Sequence, residues 1–291
     1  MADKAPAWVV PVMRAGYTSR AIVYTVVGGL ALAAALDGGQ AEGTTGALAD
    51  LKSEPFGTAL LWVIAVGLVC YAIWRFIAAA LDLERRGDDS SGLFARGGLV
   101  VTGLIHAALG VSVAGLALGG GGGGGSGAED WTARLMSWPY GRWIAAAIAL
   151  GIAGAGVYYI HKGIAQKYKR TMRVTPTTQK LDPALQAGFI AQGTLIAIVG
   201  LLMGLAALQS NPEQAGGVGD ALAQVRSVPY GRVALGVIAL GVLGFALENL
   251  VEARYRIVPA RAGSDVETLA QRAKQKAQDA QNEAKKAAQG N

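Results

Sequence analysis

Six stretches without a charged residue divide the chain into apolar segments separated by polar loops. They cover residues 21–36, 58–74, 97–128, 143–160, 183–212 and 233–247. With snorkelling flanks, each reaches about 20 residues, the length that a helix needs to cross a hydrocarbon core about 30 Å thick. The pattern therefore predicts an all-α, polytopic membrane protein with six transmembrane helices.

Basic residues fall mainly on one side of these segments. The N-terminus, the loops after the second and fourth segments and the C-terminal tail contain 21 of the 26 Lys and Arg residues. Cytoplasmic loops carry such an excess, so we expect both termini in the cytoplasm and a multi-pass protein of the bacterial cytoplasmic membrane. The densest basic group consists of Lys162, Lys167, Lys169, Arg170 and Arg173. We expect this group to be either a topology determinant or a binding site for anionic lipid.

The composition agrees with a membrane protein and excludes several kinds of functional site. Charged residues make up 16% of the chain, against roughly 25% in ordinary globular domains. A single cysteine, Cys70, excludes a disulfide framework and a thiolate zinc site, and only His106 and His161 supply imidazoles. We expect no cofactor and no metal. The basic isoelectric point follows from topology and requires no nucleic-acid partner.

An internal repeat organises the segments into three pairs. The units open with the triplets Arg14-Ala15-Gly16, Arg96-Gly97-Gly98 and Gln186-Ala187-Gly188, each followed twelve residues later by Gly28, Gly110 or Gly200. The even-numbered segments open with Pro55-Phe56-Gly57, Pro139-Tyr140-Gly141 and Pro229-Tyr230-Gly231, each followed ten residues later by Gly67, Gly151 or Gly241. The predicted units are 1–91, 92–180 and 181–258, with a polar helical tail at 259–291. Three helical hairpins of one orientation would surround a pseudo-threefold axis along the membrane normal.

The residues from Met13 to Tyr24 with Gly28, repeated twice in weaker form, carry a family resemblance. They resemble the opening of the bacterial membrane family called domain of unknown function 1206, over about residues 10–258. The second copy has His106, and the third has Ile196, in the place of Tyr24. The resemblance implies three tandem two-helix units and no particular activity.

The aromatic residues of the second set of triplets, Phe56, Tyr140 and Tyr230, are predicted interfacial anchors. Proline favours an extended residue before it and is tolerated in a first helical turn, and the ring beside it suits headgroup depth. The alternative is that these rings grip a substrate.

Few polar residues lie at membrane depth, and they form the candidate site: Arg75, His106, Gln192, Glu248 and Asn249. The repeat alignment places Arg75 and Glu248 at similar depth, which predicts a direct ion pair unless both side chains snorkel. His106 is a neutral packing residue or else a proton carrier or ligand. A water-filled centre lined by His106 and Gln192 would favour transport, and a dry centre would favour a scaffold.

Two further segments are polar. Residues 119–125 are seven consecutive glycines, which predict a flexible tether. In the tail, Ser264 and Glu267 fit a capping box, and alanines follow at heptad spacing up to Ala287. This helix either stays solvated or docks on a protein partner or on itself.

Three functions stay open. The favoured one is a non-catalytic membrane scaffold or envelope-associated protein, since the sequence shows no catalytic set. The alternatives are a small-solute or ion transporter with a site on the pseudo-threefold axis, and an intramembrane enzyme.

Overall fold

Six long helices occupy the six apolar segments, and three short helices lie in the loops that join paired segments. The computed structural model describes residues 6–38, 42–120 and 127–259, together with positions 275 and 278. The helices are α1 (Val9–Asp37), α2 (Thr44–Ser53), α3 (Gly57–Ala80), α4 (Ser90–Ala117), α5 (Gly127–Met136), α6 (Gly141–Ile164), α7 (Pro176–Gln209), α8 (Val218–Ser227) and α9 (Gly231–Tyr255). The described residues contain no named strand, and α1, α3, α4, α6, α7 and α9 are long and apolar enough to cross a membrane. The prediction of an all-α chain with six spans is confirmed.

Three helices begin well before the charge-free stretches that predicted them: α1 at Val9, α4 at Ser90 and α7 at Pro176. The Asp89 side chain caps α4 by accepting a hydrogen bond from the Gly92 N–H at 3.2 Å. Arg96 then lies inside α4, where its Nε donates to the Ala79 carbonyl at 2.7 Å. Thr175 caps α7 in a reciprocal capping box with Thr178. Charged residues inside a helix end are tolerated because neighbouring carbonyls and carboxylates accept their hydrogen bonds.

The even-numbered spans begin at the glycine of each Pro-aromatic-Gly triplet, two residues later than a proline start would place them. Phe56, Tyr140 and Tyr230 precede the helices with φ between 60° and 64°, in the left-handed region. A Cβ on Gly57 would lie 1.9 Å from the Leu51 carbonyl oxygen, so only glycine fits there. The three aromatic side chains are at least 81% exposed, as anchors in a headgroup layer would be. Their anchoring role stays a prediction.

Helices from neighbouring repeats pack through three equivalent glycines. Gly28 of α1 faces Leu243 of α9, Gly110 of α4 faces Val69 of α3, and Gly200 of α7 faces Ala153 of α6. The partner residue lies twelve positions after the opening glycine of its helix in all three cases. Small residues let helix backbones approach closely in lipid, and here the repeat uses the same residue three times.

The two helices within a repeat pack together in the first and third repeats only. A Cβ on Gly16 would lie 2.5 Å from Tyr71 Cα, and a Cβ on the equivalent Gly188 would lie 2.5 Å from the Phe245 nitrogen. At the corresponding Gly98, an added Cβ would meet no described atom within 4 Å. The helices α4 and α6 lie wholly within the described residues, yet no interface comparable to α1–α3 or α7–α9 joins them. We call this gap the open seam.

The packing order through the bundle is therefore α4, α3, α1, α9, α7 and α6. The spans of α4 and α6, at the two ends of this order, are the least buried of the six. The pseudo-threefold axis and the cytoplasmic placement of both termini stay predictions. The alanine-rich tail helix and the central part of the glycine tether lie outside the described residues, apart from positions 275 and 278.

Candidate functional site

Buried polar side chains lie where α1, α3, α7 and α9 face one another. Those less than 8% exposed include Arg20, Gln192, Glu248, Asn249 and Glu252. They belong to segments otherwise lined by apolar and aromatic residues, and buried polar groups in lipid must find partners inside the protein. Three of them, Gln192, Glu248 and Asn249, belong to the predicted site.

A network of ion pairs connects the segment after α3 with the end of α9. The Glu84 carboxylate lies 2.6 Å from Arg256, 2.8 Å from Arg86 and 3.6 Å from Arg75. Arg256 also pairs with Glu252 one helical turn earlier. Burial by itself would raise the pKa of Glu84, but the attraction of Arg256 and Arg75 outweighs it and holds the pKa well below its usual range. Glu84 is therefore a buried anion shared by three arginines.

The expected ion pair between Arg75 and Glu248 is wrong. Arg75 pairs with Glu84 instead, and its Nε donates to the Tyr71 hydroxyl at 2.8 Å. The chain turns back directly after α3, and this brings Glu84 under the last turn of the same helix. Arg75 therefore pairs with a carboxylate nine residues away in sequence and not with one on another helix.

Arg20, one of the N-terminal basic residues counted as cytoplasmic, lies inside the bundle. Its side chain is 4% exposed, and its Nη1 donates to the Tyr71 hydroxyl at 2.7 Å. Its guanidinium lies 4.5 Å from the centre of the Tyr71 ring. The repeat carried a signal for this position, because Arg20 and Gln192 each lie four residues after the glycine of their opening triplet.

His106 and Gln192 face the same interior through different partners. His106 Nδ1 lies 2.8 Å from the Thr102 carbonyl oxygen, and its ring centre lies 4.6 Å from that of Tyr71. Gln192 Nε2 donates to the Tyr24 hydroxyl at 3.3 Å. Tyr71 is thus the residue that joins Arg20, Arg75 and His106, and sequence reasoning did not select it.

Glu248 and Asn249 lie apart from this group. Asn249 is fully buried, and its Nδ2 donates to the Phe245 carbonyl at 2.7 Å. Glu248 is 3% exposed and takes part in no ion pair within 4 Å in the described part of the chain. It interacts electrostatically with Glu252, Lys162 and Arg20. The five predicted site residues therefore share the interior without forming one cluster.

Beside these residues lies a small cavity of about 40 Å³. It is lined by Arg20, Val23, Tyr24, Thr44, Leu68, His106 and Leu109. A water molecule takes about 30 Å³ in the liquid, so there is room for one small molecule or ion.

The basic segment after α6 is partly engaged within the protein. Lys169 pairs with Asp182 at 2.5 Å, and Lys162 lies 4.2 Å from the centre of the Phe189 ring. Burial and the hydrogen bond that the Tyr168 hydroxyl donates to Asp182 raise the pKa of Tyr168. Arg170 and Arg173 are exposed. Anionic-lipid binding at this segment stays a prediction.

The polar side chains of the interior can form ion pairs and can bind a small ligand. Among the described residues, no group of three or more His, Cys, Asp and Glu side chains lies together as metal ligands would. The polar side chains that line the cavity are those of Arg20, Tyr24, Thr44 and His106. They are suited to hold a small anion, a water molecule or a proton.

Comparison with known proteins agrees with the repeat. The family model described as Domain of Unknown Function (DUF1206) matches residues 15–82, 97–166 and 187–256. The chain is similar to the uncharacterized protein YxxB of Bacillus subtilis (strain 168), with 27% identity over 256 residues, which cover 86% of this chain and 92% of that protein. No solved structure matches the chain. The three-repeat prediction is confirmed.

Proposed function

We propose that this chain, which belongs to the Domain of Unknown Function (DUF1206) family, is a non-catalytic scaffold of the bacterial cytoplasmic membrane. The observation that carries the proposal is the filled interior. Where Arg20, Tyr24 and His106 meet, the open space is only about 40 Å³. A route for solutes needs a wider, hydrated passage, whereas a fixed platform needs a well-packed bundle.

Aromatic packing supports the same proposal. The rings of Tyr24 and Phe245 lie 4.9 Å apart between α1 and α9, and the Phe245 and Phe189 rings lie 5.6 Å apart between α9 and α7. Ring pairs at these distances stabilise packing by about 0.5–1.5 kcal/mol beyond their buried area. These rings occupy the interior that a transport route would cross.

One observation favours a second candidate, a small-ion transporter. Arg20 and Glu248 are both buried in helices that are long and apolar enough to cross a membrane, and neither has an ion-pair partner within 4 Å among the described residues. Ionisable groups inside membrane spans commonly mark ion or proton paths. This candidate requires the aromatic interior to open during a transport cycle.

A flux screen in liposomes separates the two candidates. Purified full-length protein is reconstituted, and uptake of protons, alkali cations, halides, amino acids and sugars is compared with empty vesicles. The scaffold proposal expects no difference, and an ionophore added at the end shows that the vesicles report flux. A saturable flux that Arg20→Gln abolishes, and that the exposed-residue variant Arg14→Gln keeps, would establish the transporter instead.

A further inference from the structure

The charge of Arg20 is not neutralised at short range by any described residue. The ion pairs of the described chain involve Arg75, Arg86, Arg96, Lys169 and Arg256, and Arg20 belongs to none of them. Moving a cation out of water costs several kcal/mol, whereas one aromatic face returns about 0.5–2 kcal/mol. Four rings lie within 6.0 Å of the guanidinium, those of Tyr71, Tyr24, Phe245 and Tyr17, but none of them supplies a negative charge.

The Arg20 side chain also keeps an unused hydrogen-bond donor. Its Nη1 donates to Tyr71, but its Nε is buried and has no partner among the described residues. Tyr71 accepts from Arg75 as well, so this one hydroxyl lies between two guanidinium groups. Arg75 shares the Glu84 carboxylate with Arg256 and Arg86, whereas Arg20 has no carboxylate within ion-pair distance among the described residues.

The cavity beside Arg20 offers a second donor and one basic nitrogen. The Tyr24 hydroxyl accepts from Gln192, and its own proton goes to no described acceptor. A carbonyl can only accept, so His106 donates through Nδ1 to Thr102 and keeps the Nε2 lone pair. Thr44, the first residue of the short helix α2, also lines the cavity, which therefore extends to a segment outside the spans.

We infer that this cavity is a binding site for a small monovalent anion of halide size, held by the Arg20 guanidinium and the Tyr24 hydroxyl. A cavity of about 40 Å³ suits one small ion better than sulfate, phosphate or a lipid headgroup. A water molecule would fill the space and satisfy His106, but it would leave the buried cation without a counter-charge. An anion accepts both free donors and supplies the missing negative charge. Glu248, which interacts with Arg20 only beyond ion-pair distance, does not replace it.

Thermal unfolding in detergent tests this site. Sodium chloride replaces sodium gluconate at constant ionic strength, since gluconate is too large for the cavity. The melting temperature of the full-length protein is expected to rise and saturate with chloride, and bromide is expected to act similarly. Arg20→Gln should weaken the apparent chloride affinity at least tenfold, and Tyr24→Phe several-fold. Arg14→Gln, which changes an exposed arginine on the same helix, should keep the wild-type response.

Bromide gives a direct measurement that does not depend on a variant. Crystals grown in saturating bromide should show anomalous scattering within hydrogen-bond distance of Arg20, whether or not Arg20→Gln folds. The inference is overturned if the melting temperature is the same in chloride and gluconate, or if folded Arg20→Gln keeps the chloride response. If these crystals show a water molecule beside Arg20 and no bromide signal there, the inference is overturned as well. None of these outcomes depends on whether the protein moves solutes across the bilayer.

Discussion

Replacing Glu84 with glutamine removes the carboxylate that three arginines share, while side-chain shape is almost unchanged. The Glu84 side chain is 3% exposed, and its partners Arg256 and Arg75 are 6% and 11% exposed. Breaking a buried ion pair by removing one partner costs about 3–5 kcal/mol, because a charge is left unpaired in a medium of low dielectric constant. The loss extends beyond one helix, since Glu84 follows α3 and Arg256 follows α9. We therefore expect Glu84→Gln to loosen the contact between the first and third repeats.

The assay is thermal unfolding of the purified protein in detergent, followed by tryptophan fluorescence. A loss of 3–5 kcal/mol corresponds to a fall in melting temperature of roughly 6–20 °C for a protein of about this size. Asp88→Asn is the matched control, because Asp88 pairs with Arg96 but is 90% exposed, and exposed pairs contribute only about 0–1 kcal/mol. A double-mutant cycle of Glu84→Gln with Arg256→Gln should be strongly non-additive.

The dependence on pH gives an independent check of the same pair. The pKa of Glu84 in the folded protein lies below its value of about 4.3 in an unfolded chain. Its contribution to the free energy of unfolding is therefore complete above about pH 4.3 and is lost as the pH falls through the lower, folded-state pKa. The difference between wild type and Glu84→Gln should be constant from about pH 5 to 8 and should shrink at lower pH. Equal effects of Glu84→Gln and Asp88→Asn, or additive effects in the cycle, would refute the reasoning.

Three further predictions concern topology, the tail and packing. A reporter that is active only in the cytoplasm should work when fused after Asn291 and fail within residues 119–125, and the opposite result would reverse the orientation. Truncation after Gly263 should leave membrane yield unchanged, and a loss of inserted protein would show that the tail packs on the bundle. Gly57→Ala should lower the melting temperature, because its Cβ would meet a carbonyl oxygen at 1.9 Å, whereas Gly98→Ala has open space and should not. Equal melting temperatures for the two glycine variants would contradict the described packing.

The spans and the repeat could be predicted because both depend on patterns along the chain. Long uncharged segments identify helices in lipid, and fixed offsets identified Gly28, Gly110 and Gly200, which do pack against equivalent positions. The helix ends were less predictable. Asp89 and Thr175 extend α4 and α7 beyond the uncharged stretches, because local hydrogen bonds offset the cost of including polar residues.

The site was predicted less completely, because its residues are brought together by folding. Arg20 was placed outside the first span, because the spans were defined as stretches without a charged residue. The partner of Arg75 is set by a turn after α3 that no spacing rule indicates. The open seam could not be predicted either, because Gly98 and Gly151 match their counterparts in the other repeats.

Because of the open seam, the two spans of the second repeat pack on neighbouring repeats and not on each other. The helix α4 packs on α3, and α6 packs on α7. A division of the chain within the glycine tether leaves α1 to α4 as one three-span half and α5 to α9 as the other, so the second repeat contributes one span to each half. The halves meet chiefly where α1 packs on α9, where α2 contacts α8, and where Glu84 pairs with Arg256. A backbone break between Ala117 and Gly127 would therefore cut no interface between two spans. Two separately synthesised halves would each keep every span contact except the one between α1 and α9.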